Sequence, residues 1–258
     1  MINLQTQIIQ RANTTSQWND PDTPENYKNK TKFGQNLYSP DDFNYKFNDY
    51  GFRCDNFNQE SDIPIVFLGC NHTEGTGLPM EHVWAYQLIK KIRNKTSKNI
   101  PYWNLAIGGA SVDTLARHLY WFNEIHKPKF VFALFPGLFR REYCLKTNNP
   151  NTWGLIYGQR PEINELFIDN NFKYHQSNRS FMIIDSIIKQ NNTQMHCSMW
   201  RYTSEEDDET FLRNNFLDFN FFPHTIAFRD RARDTVHHGP TYHIELANLF
   251  WDRICHHF

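Results

Sequence analysis

Residues 63–79 read IPIVFLGCNHTEGTGLP. The β-branched and aromatic run from Ile65 to Leu68 suits a strand buried on both faces. Gly69 ends the run, and the small and polar residues Cys70, Asn71, His72 and Thr73 follow before the amphipathic pattern VWAYQLIKKIRNK at 83–95. A strand that stops at a turn and opens a helix presents its turn residues at the carboxyl edge of a sheet, where open α/β folds place their sites. The stretch thus sets the fold class and marks the first place to look for chemistry.

The same alternation continues outward. YWNLAI at 102–107 reads as a strand, and SVDTLARHLYWFNEI at 111–125 as a helix capped by Ser111, with Val112, Leu115, Leu119, Phe122 and Ile125 at helical spacing. FVFALF at 130–135 is a third buried strand closed by Pro136-Gly137, and the Asn/Gly/Pro-rich residues 144–162 read as a loop. Helical patterns at 178–190, 204–216 and 242–254 alternate with strands at 193–200 and, as TIAF, 225–228. This order predicts an α/β protein, a three-layer α/β/α (flavodoxin-like) domain with a mostly parallel five-stranded sheet. Residues 1–60, rich in Asn, Asp, Pro, Tyr and Phe and without periodicity, form an irregular extension expected to pack on a domain spanning 61–258.

Composition narrows the function classes. The 258 residues are 40% hydrophobic and 16% aromatic, with 22 Phe and 7 Trp, enough for a large core. A net charge of −1 gives no basic excess, so nucleic acid is not an expected partner. The sequence has neither a charged-then-apolar leader nor an apolar run of the ~18–20 residues that span a bilayer, so no membrane partner is expected. Five cysteines without CxxC pairing fit free thiols in a reducing compartment, and the expected location is cytoplasmic or virion-associated. No metal-ligand or cofactor pattern is present.

The segment RARDTVHHGPTYHIELA at 231–247 places Asp234 three residues before His237 and Gly239-Pro240 directly after. It resembles the last sequence block of the SGNH (GDSL-type) hydrolases. In that family an Asp orients a His that activates a serine carried on a turn after the first strand. By that resemblance Asn71 stands at the serine position and Cys70 at that of the preceding Asp. NLAIGGAS at 104–111 resembles the second block, which makes Gly109 the oxyanion-hole N–H. The segment Tyr50-Gly51-Phe52-Arg53 is similar to one in a divergent branch found in bacteria and phages. The likeness spans about residues 63–258. The third block of the family is missing, because FALF is followed by Pro136-Gly137-Leu138-Phe139-Arg140-Arg141-Glu142.

An amide nitrogen has no proton that histidine can remove at neutral pH, so Asn71 cannot serve as the nucleophile. It either hydrogen-bonds a ligand or caps the following turn. Cys70 is one position early, and adjacent strand residues point to opposite faces, so a buried, inert thiol is expected. Asp234 and His237 form either a base with its orienter or a structural pair. Cys70, His72, Thr73, Arg140 and Arg141 are further candidate substrate contacts, the arginines through forked hydrogen bonds to an anion or sugar hydroxyl. A substitute nucleophile would have to be Cys70, a hydroxyl such as Thr73, or a water held by Asn71. His238 and His243 read as solvated loop residues, His256 and His257 as a frayed end, and the aromatics around Trp103, Tyr120 and Trp121 as core. Two functions remain: an ester hydrolase acting on an acylated small molecule or carbohydrate, with a substitute nucleophile, and a catalytically inactive SGNH-like binding or structural module, for example in a larger phage-type assembly.

Overall fold

The computed structural model describes residues 10–28, 38–143, 154–156, 170–200, 206–216, 218–227 and 229–258. Its centre is a five-stranded sheet built from β3 (Ile65–Leu68), β4 (Trp103–Asn104), β5 (Phe130–Phe135), β8 (Gln194–Met199) and β9 (Phe219–Phe221). The spatial order is β4-β3-β5-β8-β9 and every pairing is parallel. β3, β5 and most of β8 are buried throughout, which explains why they read as unbroken apolar runs.

Helices cover both faces. On one side α3 (Trp84–Thr96) packs against α7 (Pro240–Ile254) over Ile65, Phe67, Phe132 and Leu134. On the other, α4 (Val112–Asn123) packs against α5 (Asn170–Asn191) over Val66, Leu68, Val131, Ala133 and Phe135, with Leu212 of α6 (Glu206–Asn215) joining them. Odd and even residues of one strand thus feed opposite cores. Ser111 opens α4 through a reciprocal capping box with Thr114, and Pro240 at the first turn opens α7, where its missing N–H costs nothing. Because the chain leaves β3 for β4 on one side and returns past it to β5, the sheet's switch point falls beside the carboxyl end of β3.

The amino-terminal region adds a two-stranded antiparallel pair, β1 (Thr15–Ser16) with β2 (Tyr45–Lys46), and a short helix α1 (Pro24–Lys28). Its contacts with the sheet domain are buried and polar as well as aromatic. Arg53 is fully buried and donates to the carbonyls of Gly75 (2.6 Å) and Leu78 (2.7 Å), its guanidinium over the Tyr45 ring. Arg233 pairs with Asp22 at 2.7 Å, both side chains fully buried, and its guanidinium lies 3.9 Å from the Phe43 ring centre. The Tyr45 hydroxyl donates to Asp22 (2.5 Å) and accepts from the Gly77 N–H (2.7 Å).

Several sequence expectations change. The fifth strand is Phe219–Phe221, and 225–227 are irregular. As the edge of the sheet, β9 alternates buried Phe219 with exposed Asn220, a weaker signal than the apolar TIAF. A short strand β7 (Gly154–Ile156), inside the stretch read as a loop, pairs antiparallel with β6 (Arg141–Tyr143). The rest of 144–162, Cys144 included, and the helix start at 204 lie outside the described residues. Trp103 is core, but Tyr120 is exposed. His243 is not a loop residue: it sits buried on α7 and its Nδ1 accepts from the Trp84 N–H. His256 and His257 form a 3-10 turn, with His257 against Phe130 and His196.

Candidate functional site

Gly69 has no room for a side chain, since a Cβ there would fall 2.0 Å from Thr73 Oγ1. The chain turns directly into α2 (Asn71–Glu74), a single helical turn whose four side chains are all buried, with Cys70 before it. Cys70 is buried and belongs to the hydrophobic cluster that includes Val112 and Leu115 of α4. Thr73 is fully buried and accepts from the Trp84 indole N–H at 3.3 Å.

Asn71 and Glu74, three residues apart, share one face of the turn. Asn71 Oδ1 accepts the Gly109 N–H at 2.7 Å, and Glu74 Oε2 accepts the Gly108 N–H at 2.6 Å. The other oxygen of Glu74 pairs with Arg11 at 2.8 Å. Gly109 has a φ of 78°, a left-handed geometry natural to glycine, so the turn after β4 presents consecutive N–H groups toward α2. Because a backbone N–H needs an acceptor, Gly109 also fixes which way the Asn71 amide faces: Nδ2 points away, and its hydrogens have no partner among the described residues.

The opposite wall is the loop before α7. Asp234, fully buried, accepts the N–H groups of Val236 and His237 on Oδ1 (3.1 Å each) and pairs through Oδ2 with His237 Nδ1. The ring is thereby held with Nε2 outward, and Nε2 has no hydrogen-bond partner among the described residues. The loop is braced at Thr235, whose φ of 64° is unusual for a β-branched residue, and by the Arg233 N–H donating to the Gly77 carbonyl at 2.8 Å. The loop carrying the dyad is therefore tied to the segment after α2.

His72 joins the two walls. Its ring centre lies 5.2 Å from those of His237 and His238 and 4.9 Å from that of Trp200. Burial holds its pKa well below the usual histidine value, reinforced by His237, His238, His243 and Arg140, so the ring is neutral. Its Nδ1 is buried without a hydrogen-bond partner. Burial likewise takes His238 down to about 4 and His243 to about 3. Among the described residues no cluster of His, Cys, Asp or Glu could hold a metal ion.

The two arginines separate. Arg141 is buried and donates to the carbonyls of Leu138 and Arg140 and to Ser177 Oγ, so it is committed to the turn after β5. Arg140 is half-buried, 5.9 Å from the Trp200 ring centre and close enough to act on His72. The structure brings Asn71, Gly109, His72, Asp234 and His237 together with Arg140 at the side, and leaves Cys70, Thr73 and Arg141 in internal packing. Glu74, Arg11, Asp22 and Arg233 were missed in the sequence. Only Glu74 carried a signal, through its i+3 spacing from Asn71.

No model of a protein family matches the sequence, and neither does any curated protein. Solved structures do match. TesA superposes with a TM-score of 0.50 at 10% identity, covering 74% of this chain and 97% of TesA. The psychrotrophic esterase EstA from a Pseudoalteromonas species gives 0.48 at 13% identity, covering 75% of this chain and 97% of EstA. A GDSL-like lipase from Parabacteroides merdae gives 0.46 at 14% identity, covering 77% and 98%. The chain shares with TesA an α/β fold, a five-stranded parallel sheet between helical layers.

Proposed function

We propose that this chain is a degenerate relative of the SGNH ester hydrolases whose site binds a small acyl or carbohydrate ligand without an acyl-enzyme step. The observation that carries the reading is the 2.7 Å hydrogen bond from the Gly109 N–H to Asn71 Oδ1. At the position assigned to the serine stands an amide that cannot attack, and it occupies the N–H assigned to the oxyanion hole. The other nearby nucleophiles are spent: Cys70 lies in the core and Thr73 under Trp84. Residues 61–258 form the hydrolase-like domain in this reading. The 1–60 extension fixes the site through Arg11, Asp22 and Arg53. No helix among the described residues is long and apolar enough to cross a membrane.

A second reading, an ester hydrolase that activates water, is favoured by the intact Asp234–His237 pair with its outward Nε2. One comparison separates the two. Hydrolysis of p-nitrophenyl acetate and butyrate is measured for the wild type and His237→Ala. The binding reading expects equal, near-background rates. Turnover that His237→Ala removes would establish the water route instead.

A further inference from the structure

One segment of the amino-terminal extension ties the two walls of the site. Arg11 donates to Glu74 at 2.8 Å and to the Gly51 carbonyl at 3.0 Å, and Glu74 in turn holds the Gly108 N–H. Asp22 pairs with Arg233, directly before Asp234 of the opposite wall. Arg233 also donates to the Gln17 carbonyl, with the Trp18 ring centre 4.5 Å from its guanidinium. Between these anchors the Asp20 carbonyl comes within 3.4 Å of where a Cβ on Gly108 would fall, so the segment runs beside the turn that carries Gly108 and Gly109. The site between the walls is closed: Asn71 is 7% exposed, His72 3% and Asp234 0%.

We propose that residues 10–28 form a strap that gates the site, released from both walls together to admit a ligand. The proposal rests on the binding reading above and adds how that site is opened. Charge, rather than apolar burial, holds the strap. Of residues 10–28 only Asp22 is buried, and α1 buries none of its residues. Its backbone attachment is the β1–β2 pair, two residues on each strand, and a two-stranded ribbon by itself is marginal in water. A segment with so few buried apolar contacts opens at a lower free energy than the sheet core. The two anchors are also coupled. Breaking one ion pair alone leaves an uncompensated charge in a dry site. Withdrawing the whole strap removes both partners and their cover, so water reaches Glu74 and Arg233 together. Opening then loosens the Gly108–Gly109 turn and the dyad loop at once, around Asn71, His72 and His237.

The test is native-state hydrogen exchange of the full chain, followed peptide by peptide in urea below the unfolding midpoint, for the wild type and Arg11→Gln. In the wild type, peptides covering 10–28, 107–110 and 230–238 should share one opening transition, at lower free energy than β3 and β5. Arg11 makes its hydrogen bonds to Asn19, Glu74 and Gly51, none of them in the dyad loop. Arg11→Gln should nonetheless raise opening by about tenfold or more in all three peptides, the loss of one charge-assisted hydrogen bond, while β3 and β5 keep their rates. Carbethoxylation of His72 by diethyl pyrocarbonate, mapped by mass spectrometry, reads access to the site and should quicken by a similar factor. A strap that exchanges alone in the wild type, with 107–110 and 230–238 still protected, would overturn the coupling, and so would a strap that opens only with β3 and β5. His72 labelling that ignores a released strap would overturn the gate. Ester turnover removed by His237→Ala would overturn the binding reading without altering these exchange rates, so the two fail separately.

Discussion

Replacing Asn71 with serine asks whether the rest of the site is still arranged for ester hydrolysis. The substitution removes Oδ1 from the Gly109 N–H, so the freed donor can meet a developing oxyanion. It also places a hydroxyl on α2 beside His72, whose ring centre is 5.2 Å from that of His237. General-base assistance is typically worth ~10²–10⁴-fold. Against this stands the missing third-block residue: after β5 the chain runs through Pro136, Gly137 and Leu138, whose N–H is bonded to Asp208 at 3.1 Å. Losing one oxyanion donor costs ~10²–10³-fold, so the expected gain falls at or below the lower limit of the general-base range, about tenfold to a hundredfold over the wild type. The assay is p-nitrophenyl acetate hydrolysis by the wild type, Asn71→Ser, and Asn71→Ser combined with His237→Ala. The gain should appear in the single mutant and vanish in the double. A folded Asn71→Ser protein with no gain, or a gain that survives loss of His237, would refute the assignment of Asn71 to the nucleophile position.

The remaining predictions concern stability and reactivity. Arg233→Met leaves Asp22 buried without its partner and should cost ~3–5 kcal/mol in urea unfolding, and a loss under 1 kcal/mol would mean that the extension does not brace the dyad loop. The folded-state pKa values of His72 and His243 lie below the unfolded value, so their contribution to stability is present above pH ~6.5 and is lost as pH falls toward the folded values. Each is worth up to ~1.4 kcal/mol per pH unit, and a urea midpoint unchanged between pH 7 and 5 would contradict their burial as neutral rings. In the native protein iodoacetamide should spare Cys70 and Cys197, both buried, and modify the half-buried Cys255, and rapid selective labelling of Cys70 would reinstate it as a nucleophile.

The sheet was legible because four of its strands are buried enough to read as short apolar runs between helical patterns. The fifth was not, because an edge strand needs to be apolar on one face only, and Phe219-Asn220-Phe221 carries that weaker alternation. Asn71 stood out in the sequence at the turn after the first strand, and Gly109, Asp234 and His237 in the segments before α4 and α7, where the structure has them. The bond between Asn71 and Gly109 depends on a side-chain orientation that no spacing encodes. Nor could local pattern show that Arg233 reaches Asp22 across 211 residues, or that Arg53 feeds the carbonyls after α2. His72 stood out only as one of several polar turn residues, since its environment is built by rings from three distant segments: Trp200, the 237–238 loop and α7.

Asn71 holds the Gly109 N–H, and amide hydrogen exchange at Gly109 measures that bond. In the wild type this amide should exchange slowly for a residue in a turn. In Asn71→Ala it should speed up by about fivefold or more, the equivalent of one hydrogen bond of ~1 kcal/mol, while amides of β3 and β5 keep their rates. A Gly109 amide that is unprotected in the wild type, or indifferent to Asn71→Ala in a protein that remains folded, would contradict the account.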